Sequence, residues 1–389
     1  MTSYTPHPLK YFAGLDARGT GMPAFDGGDL GTRIEEFFRS NGVSLRVDGA
    51  EHGPVVTKYV VSFANDTDHV GKVEALRRDL GLRLGVGAGR VFIGETAWNG
   101  SVSLAIEIPN PKRVAVPATT VIPAVPGDAA RNGLRVCLGV DTSGVPFSVD
   151  IATAPHVLVA GQSGSGKTVF LNSLICGLLD NYDRNECEVS IVDPKGTEFN
   201  GFDGHPGVVL GNGLSGDAEV RVGRSGDAVP LLESLVEEME YRMKVFGHYG
   251  VSNLRQYMLG HSGNGHLPYR VAVIDEFYDL LMNHPDAERP LSILAAKARS
   301  TGIHLVLATQ RPSVDVIRGA LKANLSTRIA LKVSSRTDSQ VIIDQPGAES
   351  LCGRGDMLYV GPDGDVPRRL HACMVTPEQI RDFVGAGRV

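Results

Sequence analysis

Gly161-Gln162-Ser163-Gly164-Ser165-Gly166-Lys167-Thr168 follows the apolar run Val157 to Ala160 and opens a helical pattern near Val169 to Leu179. Strand, glycine-rich loop and helix in that order are the context a phosphate-binding loop requires. The glycines let backbone N–H groups converge on phosphate oxygens, Lys167 reaches the β/γ-phosphates, and the Thr168 hydroxyl suits Mg²⁺. The bland alternative, a glycine-rich turn with an incidental lysine, does not account for the strand and helix on either side. ATP and Mg²⁺ are therefore the expected cofactors.

Around this loop, short apolar runs alternate with helical patterns. The runs are Val157 to Ala160, Val189 to Val192, Val271 to Ile274, His304 to Ala308 and Ile329 to Val333. They predict an α/β fold, a RecA-like P-loop NTPase core on a parallel sheet with covering helices, one of them over Val314 to Ala323. Upstream, helical spacing at Leu30, Ile34, Phe37 and Phe38, strands over 43–47 and 55–63, a second helix through Val70 to Leu84, and strands near 91–93 and 102–108 predict a small α+β module. The expected division is a loosely ordered arm over 1–29, the α+β domain over 30–115, a Pro/Ala/Gly-rich linker over 116–133, and the ATPase domain over 134–389. Paired strands at 134–140 and 146–150 begin that last part. The glycine-rich stretch 201–226 reads as a long surface loop.

Composition excludes several classes. With 42% hydrophobic and 21% charged residues the chain is ordinary globular protein, and no run approaches the roughly 18 apolar residues of a membrane span. The polar start gives no signal-peptide core, so a cytoplasmic protein is the default. Five cysteines without a C-x-x-C pair predict buried thiols and not a zinc ribbon. The net charge of −6 conceals a basic stretch: residues 289–345 carry nine basic and three acidic side chains. That stretch is either a polyanion contact or a solvated face.

Val271-Ala272-Val273-Ile274-Asp275-Glu276 supplies the carboxylates a P-loop needs on a neighbouring strand. Asp275 is the candidate Mg²⁺ ligand and Glu276 the candidate base for an attacking water. A kinase of small molecules uses a substrate hydroxyl as nucleophile, so the acidic pair favours ATP hydrolysis. Thr309-Gln310 end the next strand, where Gln310 is a candidate γ-phosphate sensor or a structural polar group. Arg299, at the end of the preceding helix, is either an arginine finger for a neighbouring subunit or a solvated residue favoured by the helix dipole.

The run Gly302-Ile303-His304-Leu305-Val306-Leu307-Ala308-Thr309-Gln310-Arg311-Pro312-Ser313-Val314-Asp315-Val316-Ile317 resembles the FtsK/SpoIIIE family of double-stranded DNA translocases. So do Leu321-Lys322-Ala323-Asn324, Val333-Ser334-Ser335, Ile343-Asp344-Gln345 and Gly353-Arg354-Gly355-Asp356-Met357-Leu358-Tyr359, and, in the first module, Gly53-Pro54-Val55-Val56-Thr57 and Ile108-Pro109-Asn110-Pro111-Lys112-Arg113. The resemblance implies a ring, usually a hexamer, that threads duplex DNA through a central channel and hydrolyses ATP between subunits. It implies a trans role for Arg299 and DNA-phosphate contacts from Arg311, Lys322 and Arg336. Gln340 departs from the family's basic residue, which removes one such contact. Division proteins of the family carry N-terminal membrane helices and a C-terminal winged helix, and this sequence shows neither. The expectation is a stand-alone translocase of a phage, plasmid or other mobile element. The alternatives are a DNA-transfer or packaging ATPase, or a DNA-binding ATP switch without processive movement.

Overall fold

The computed structural model describes residues 28–125, 127, 133–211, 219–261, 267–313, 317, 319–364 and 366–387. Of the expected arm over 1–29, residues 1–27 lie outside the described residues, as do 126, 128–132, 212–218, 314–316 and 318 in the expected linker, 201–226 loop and 314–323 helix, while 28–29 begin the helix Gly28–Ser40. Of the expected 314–323 helix, the described part lies in a helix over Gly319–Asn324.

Near the N-terminus, period-two patterning builds a four-stranded antiparallel sheet from β1 (Leu45–His52), β2 (Val56–Phe63), β3 (Phe92–Trp98) and β4 (Ser101–Pro109), ordered β1-β2-β4-β3. Tyr59 and Val61 of β2 and Ile106 and Ile108 of β4 alternate onto the face covered by helices Gly28–Ser40 and Val70–Arg83. Ile34, Phe38, Val73 and Leu80 of those helices close the core.

The second sheet has nine strands: β5 (Arg135–Asp141), β6 (Pro146–Asp150), β7 (His156–Ala160), β8 (Cys187–Val192), β9 (Tyr269–Ile274), β10 (Ile303–Thr309), β11 (Thr327–Leu331), β12 (Asp356–Val360) and β13 (Arg368–His371). Its order is β6-β5-β13-β12-β11-β7-β10-β9-β8. The five apolar runs form the parallel part, β11-β7-β10-β9-β8. This is the parallel core that the alternating pattern predicts, and β12, β13, β5 and β6 extend it antiparallel into a mixed sheet. The connections over 142–145 and 361–367 are too short for the crossover a parallel pair requires. Successive residues of the central strands feed two cores. Val157, Val159, Val306 and Ala308 pack toward helix Lys167–Asn181. Leu158, Ala160, Leu305 and Leu307 pack toward helices Ala228–Tyr249 and Glu288–Lys297.

Two expectations are corrected. In the expected linker, Val116, Ala118, Val121, Ile122 and Val125 are buried in the larger core, and Pro117 bridges to Met374, so its described part over 116–125 is packed structure and not a tether. The described parts of the 201–226 stretch are not simply a surface loop either: they line the edge of β8, with Val209 N–H donating to Val189 O (2.9 Å) and Gly223 N–H to Ile191 O (2.8 Å). Phe202, Val208 and Val222 within the stretch are buried. An open edge strand would invite pairing with another chain, and this segment covers it.

All five cysteines are free and buried. Among the described residues no helix is long and apolar enough to cross a membrane. The two sheets are tied by Arg369 of β13. It bonds Glu107 of β4 (2.9 Å) and Asp356 of β12 (2.7 and 2.9 Å) and lies over the Phe92 ring, 4.7 Å from its centroid.

Candidate active site

The glycine-rich loop leaves the C-terminal end of β7 and is fastened to both neighbouring strands. Gly161 N–H donates to Thr309 O at the end of β10 (3.2 Å), and Gln162 N–H to Lys332 O after β11 (2.9 Å). Gly164 and Gly166 take φ of +76° and +102°, conformations open to glycine and strained for other residues. A Cβ on Gly166 would also stand 2.3 Å from Gly355 N. Ser163 is exposed and Ser165 buried. The helix beginning at Lys167 has no side-chain cap, so the N–H groups of its first turn are open to an anion.

Lys167 is nine-tenths or more buried and forms an ion pair with Asp275, which stands just past the end of β9. Glu276 follows in a left-handed conformation (φ +52°), uncommon for a residue with a side chain. Its carboxylate accepts bonds from Thr309 Oγ1 (2.7 Å) and Gln310 N–H (2.9 Å). Strand order explains the contact. β10 lies between the loop-bearing β7 and the acid-bearing β9, so its end, Thr309-Gln310, stands between phosphate loop and acids. Gln310 and the residues from Gln162 to Thr168, Ser165 excepted, line one cavity of about 910 Å³. The structure thus brings together the loop, Lys167, Asp275, Glu276 and Gln310.

The cationic candidates are dispersed. Arg299 sits at the N-terminal end of β10, the opposite edge of the sheet, where it donates to Thr153 O (3.1 Å). Arg311 is exposed beside Gln310 with its guanidinium over the Tyr278 ring, 5.6 Å from the centroid. Arg336 is the exposed first residue of helix Arg336–Ile343, after the C-terminal end of β11. Lys322 precedes the N-terminal end of β11 and bonds Asp344 (2.7 Å), which Arg328 also engages. Burial raises the Asp344 carboxyl, but these two cations outweigh it and hold the group below the ordinary carboxylate range. Arg311, Lys322 and Arg336 therefore do not share one edge: Lys322 lies opposite the other two.

The loop Gly353-Arg354-Gly355 has a place at the site that its residues, taken singly, do not announce. Gly355 N–H donates to Ser165 O (2.8 Å), and Gly353 and Arg354 line the cavity together with Pro111 to Val116, Glu198, His371 and Met374. The signal present in the sequence is an arginine between two glycines, whose partner 190 positions away is set by the β12–β11–β7 neighbourhood.

Comparison with known proteins agrees with this geometry. The FtsK/SpoIIIE family matches residues 124–314, and the FtsK alpha domain matches residues 28–110. DNA translocase FtsK of Pseudomonas syringae pv. tomato is 36% identical over 385 residues, covering 92% of this chain and 46% of that protein. DNA translocase FtsK of Halalkalibacterium halodurans is 37% identical over 365 residues, covering 90% and 44%. The chain spans about half the length of these curated relatives. Among solved structures, the pCW3 conjugation coupling protein TcpA, in its monomer form with ATPgS, superposes with a TM-score of 0.56 at 21% identity over 91% of this chain and 99% of that one. The cytoplasmic domain of the Type VII secretion ATPase EccC of Thermomonospora curvata gives 0.56 at 27% identity over 66% of this chain and 31% of that one. The two family matches take in most of the chain and fall on its two sheets, and the loop and acids stand where a P-loop ATPase needs them: the chain belongs to the FtsK/SpoIIIE family and is a P-loop ATPase.

Proposed function

We propose that the chain is an ATP-driven translocase of double-stranded DNA, working as a homo-oligomeric ring, a hexamer by family resemblance, with ATP hydrolysed at subunit interfaces. One observation carries the catalytic half: β10 holds Thr309 and Gln310 against Glu276 at the edge where the phosphate loop ends β7. In this reading the loop N–H groups and Lys167 bind the phosphates, Glu276 takes a proton from the attacking water, and Gln310 senses the γ-phosphate. Mg²⁺ keeps most of its shell as water and substrate oxygens and needs only one or two protein ligands. The Thr168 hydroxyl and the Asp275 carboxylate fit that requirement, and the ion would neutralise phosphate charge there.

Support for the DNA half is the family itself, whose curated relatives are named DNA translocases, and the basic surplus over 289–345. The deciding experiment measures ATP turnover against duplexes of increasing length, with triplex displacement as the readout of movement. A translocase shows turnover rising with duplex length and displaces the third strand. Stimulation without displacement would instead identify a DNA-dependent switch.

A further inference from the structure

Besides Lys167 the nucleotide cavity is lined by Lys112, Arg113 and Arg354, and of these Arg354 stands on the loop that is bonded to the phosphate loop. Arg354 is exposed, lines that cavity, and has no ion pair among the described residues. Its backbone is costly: φ is +55°, between Gly353 at +77° and Gly355 at +96°, so a residue with a side chain occupies a conformation that favours glycine. The position is also held firmly. Gly355 N–H bonds Ser165 O inside the phosphate loop, and next to it Asp356 is clamped by Arg369 and accepts from Cys352 N–H (2.6 Å). Strained segments of this kind persist where the surroundings over-determine them, and here the surroundings are the phosphate loop itself.

Strand order fixes the side from which Arg354 approaches. The loop leads into β12, two strands from β7 on one flank, whereas Asp275 and Glu276 end β9, two strands from β7 on the other. A nucleotide whose γ-phosphate meets the acidic pair presents its α-phosphate and nucleoside toward β12. On that flank the cavity is walled by the connector Pro111 to Val116 and by His371, whose buried Nδ1 has no hydrogen-bond partner among the described residues.

We propose that Arg354 is a nucleotide-binding residue acting in cis, whose guanidinium holds the nucleoside diphosphate portion common to ATP and ADP from the β12 flank. The inference rests on the nucleotide reading of the same cavity. It assigns Arg354 to affinity and not to the hydrolytic step, because the contact is the same before and after the γ-phosphate leaves.

The test is titration calorimetry of the full chain with ADP and with ATPγS, for wild type, Arg354→Gln, Arg354→Lys and Lys167→Ala, with the apo melting temperature of each. Loss of one charge-assisted bond to phosphate predicts Kd raised roughly 10- to 100-fold in Arg354→Gln, equally for both nucleotides. The apo melt should be unchanged, Arg354→Lys should recover part of the affinity, and steady-state KM should rise while kcat stays. Wild-type affinity in Arg354→Gln would overturn the proposal, as would a loss confined to ATPγS, which would put the guanidinium at the γ-phosphate. If Lys167→Ala binds as tightly as wild type, the nucleotide reading itself falls, a result distinct from failure of Arg354 alone.

Discussion

Lys167 and Asp275 neutralise each other across the gap between the phosphate-loop helix and the end of β9, with side chains only 3% and 2% exposed. In the proposed function both are groups that Mg²⁺ and ATP would engage, so loading the site would exchange this pair for phosphate and metal. Removing one partner of a buried pair leaves an uncompensated charge, a loss of about 3–5 kcal/mol.

Asp275→Asn should therefore melt well below wild type without nucleotide. Metal-free ADP should raise its melting temperature by more than it raises that of wild type, because phosphate takes the place of the missing carboxylate. Thermal unfolding with and without saturating ADP measures the difference. An equal ADP increment in the two proteins would show that Lys167 does not pass from carboxylate to phosphate.

Much of this site is legible in the sequence because its elements are local. The loop is one octapeptide between a strand and a helix, and Asp275-Glu276 end an unbroken apolar run. Their juxtaposition is not, since it depends on β10 being inserted between β7 and β9, a fact of sheet order that no periodicity records. The mixed character of the sheet is hidden likewise: β12 reads as an apolar run whether it pairs parallel or antiparallel. Nothing local marks Lys322 as engaged, because Asp344, its partner, lies 22 residues away at the C-terminal end of another helix. Val116 to Val125 look like linker by composition, although their apolar members fill the core.

Arg299 is separated from its own phosphate loop by the length of β10, seven residues or roughly 23 Å at about 3.3 Å each. In the proposed ring it would serve a neighbour's nucleotide and not its own. Arg299→Ala should retain ATP binding and lose ~10³-fold in turnover, the low end for an arginine finger. Glu276→Gln should likewise bind ATP and stall. Mixing the two variants should restore activity, because some interfaces then combine an intact Glu276 with an intact Arg299. Mixed rings that form but remain inactive at every ratio would remove Arg299 from the neighbour's site.

Two buried histidines, His156 and His304, and the half-buried His371 give the fold a specific pH response. Burial, with Arg299 nearby, lowers His156 to about 4; burial, with His156 and Arg299 nearby, lowers His304 to about 3. Burial also lowers His371 to about 4, against the opposing pull of Asp356. Unfolded imidazoles take up protons below about 6.5, while these stay neutral in the fold. Between pH 6.5 and 4 the unfolded state thus binds more protons, and stability falls with falling pH by up to about 1.4 kcal/mol per pH unit for each fully shifted histidine. Above pH 6.5 their contribution is constant. Urea midpoints at pH 7.5, 6.5, 5.5 and 4.5 should show this slope, and His304→Asn, which keeps a donor for Pro155 O, should flatten it. A midpoint constant from pH 6.5 to 4.5 would contradict the assignment.

The proposed DNA path can be tested through Arg311 and Arg336, the two of its three candidate cations that share an edge of the sheet. Arg311 and Arg336 lie at the sheet edge that carries the phosphate loop, whereas Lys322 lies at the other edge and is engaged by Asp344. Arg336 also occupies the first turn of its helix, the end where the dipole disfavours a cation, so its own element gains nothing from the charge. Every DNA phosphate that the protein no longer neutralises should reduce the log–log salt slope of duplex binding by about 0.9, and in a ring one substitution acts in every subunit that touches DNA. Arg311→Ala combined with Arg336→Ala should therefore weaken binding and flatten the slope by several times that amount, uniformly across sequences, since phosphate contacts carry no base information. Lys322→Ala should leave the slope near wild type and act on stability instead, because it strips a partner from Asp344. Affinities at several salt concentrations distinguish the cases: a double variant with the wild-type slope excludes this edge as the DNA surface, and a flattened slope in Lys322→Ala moves the DNA to the opposite one.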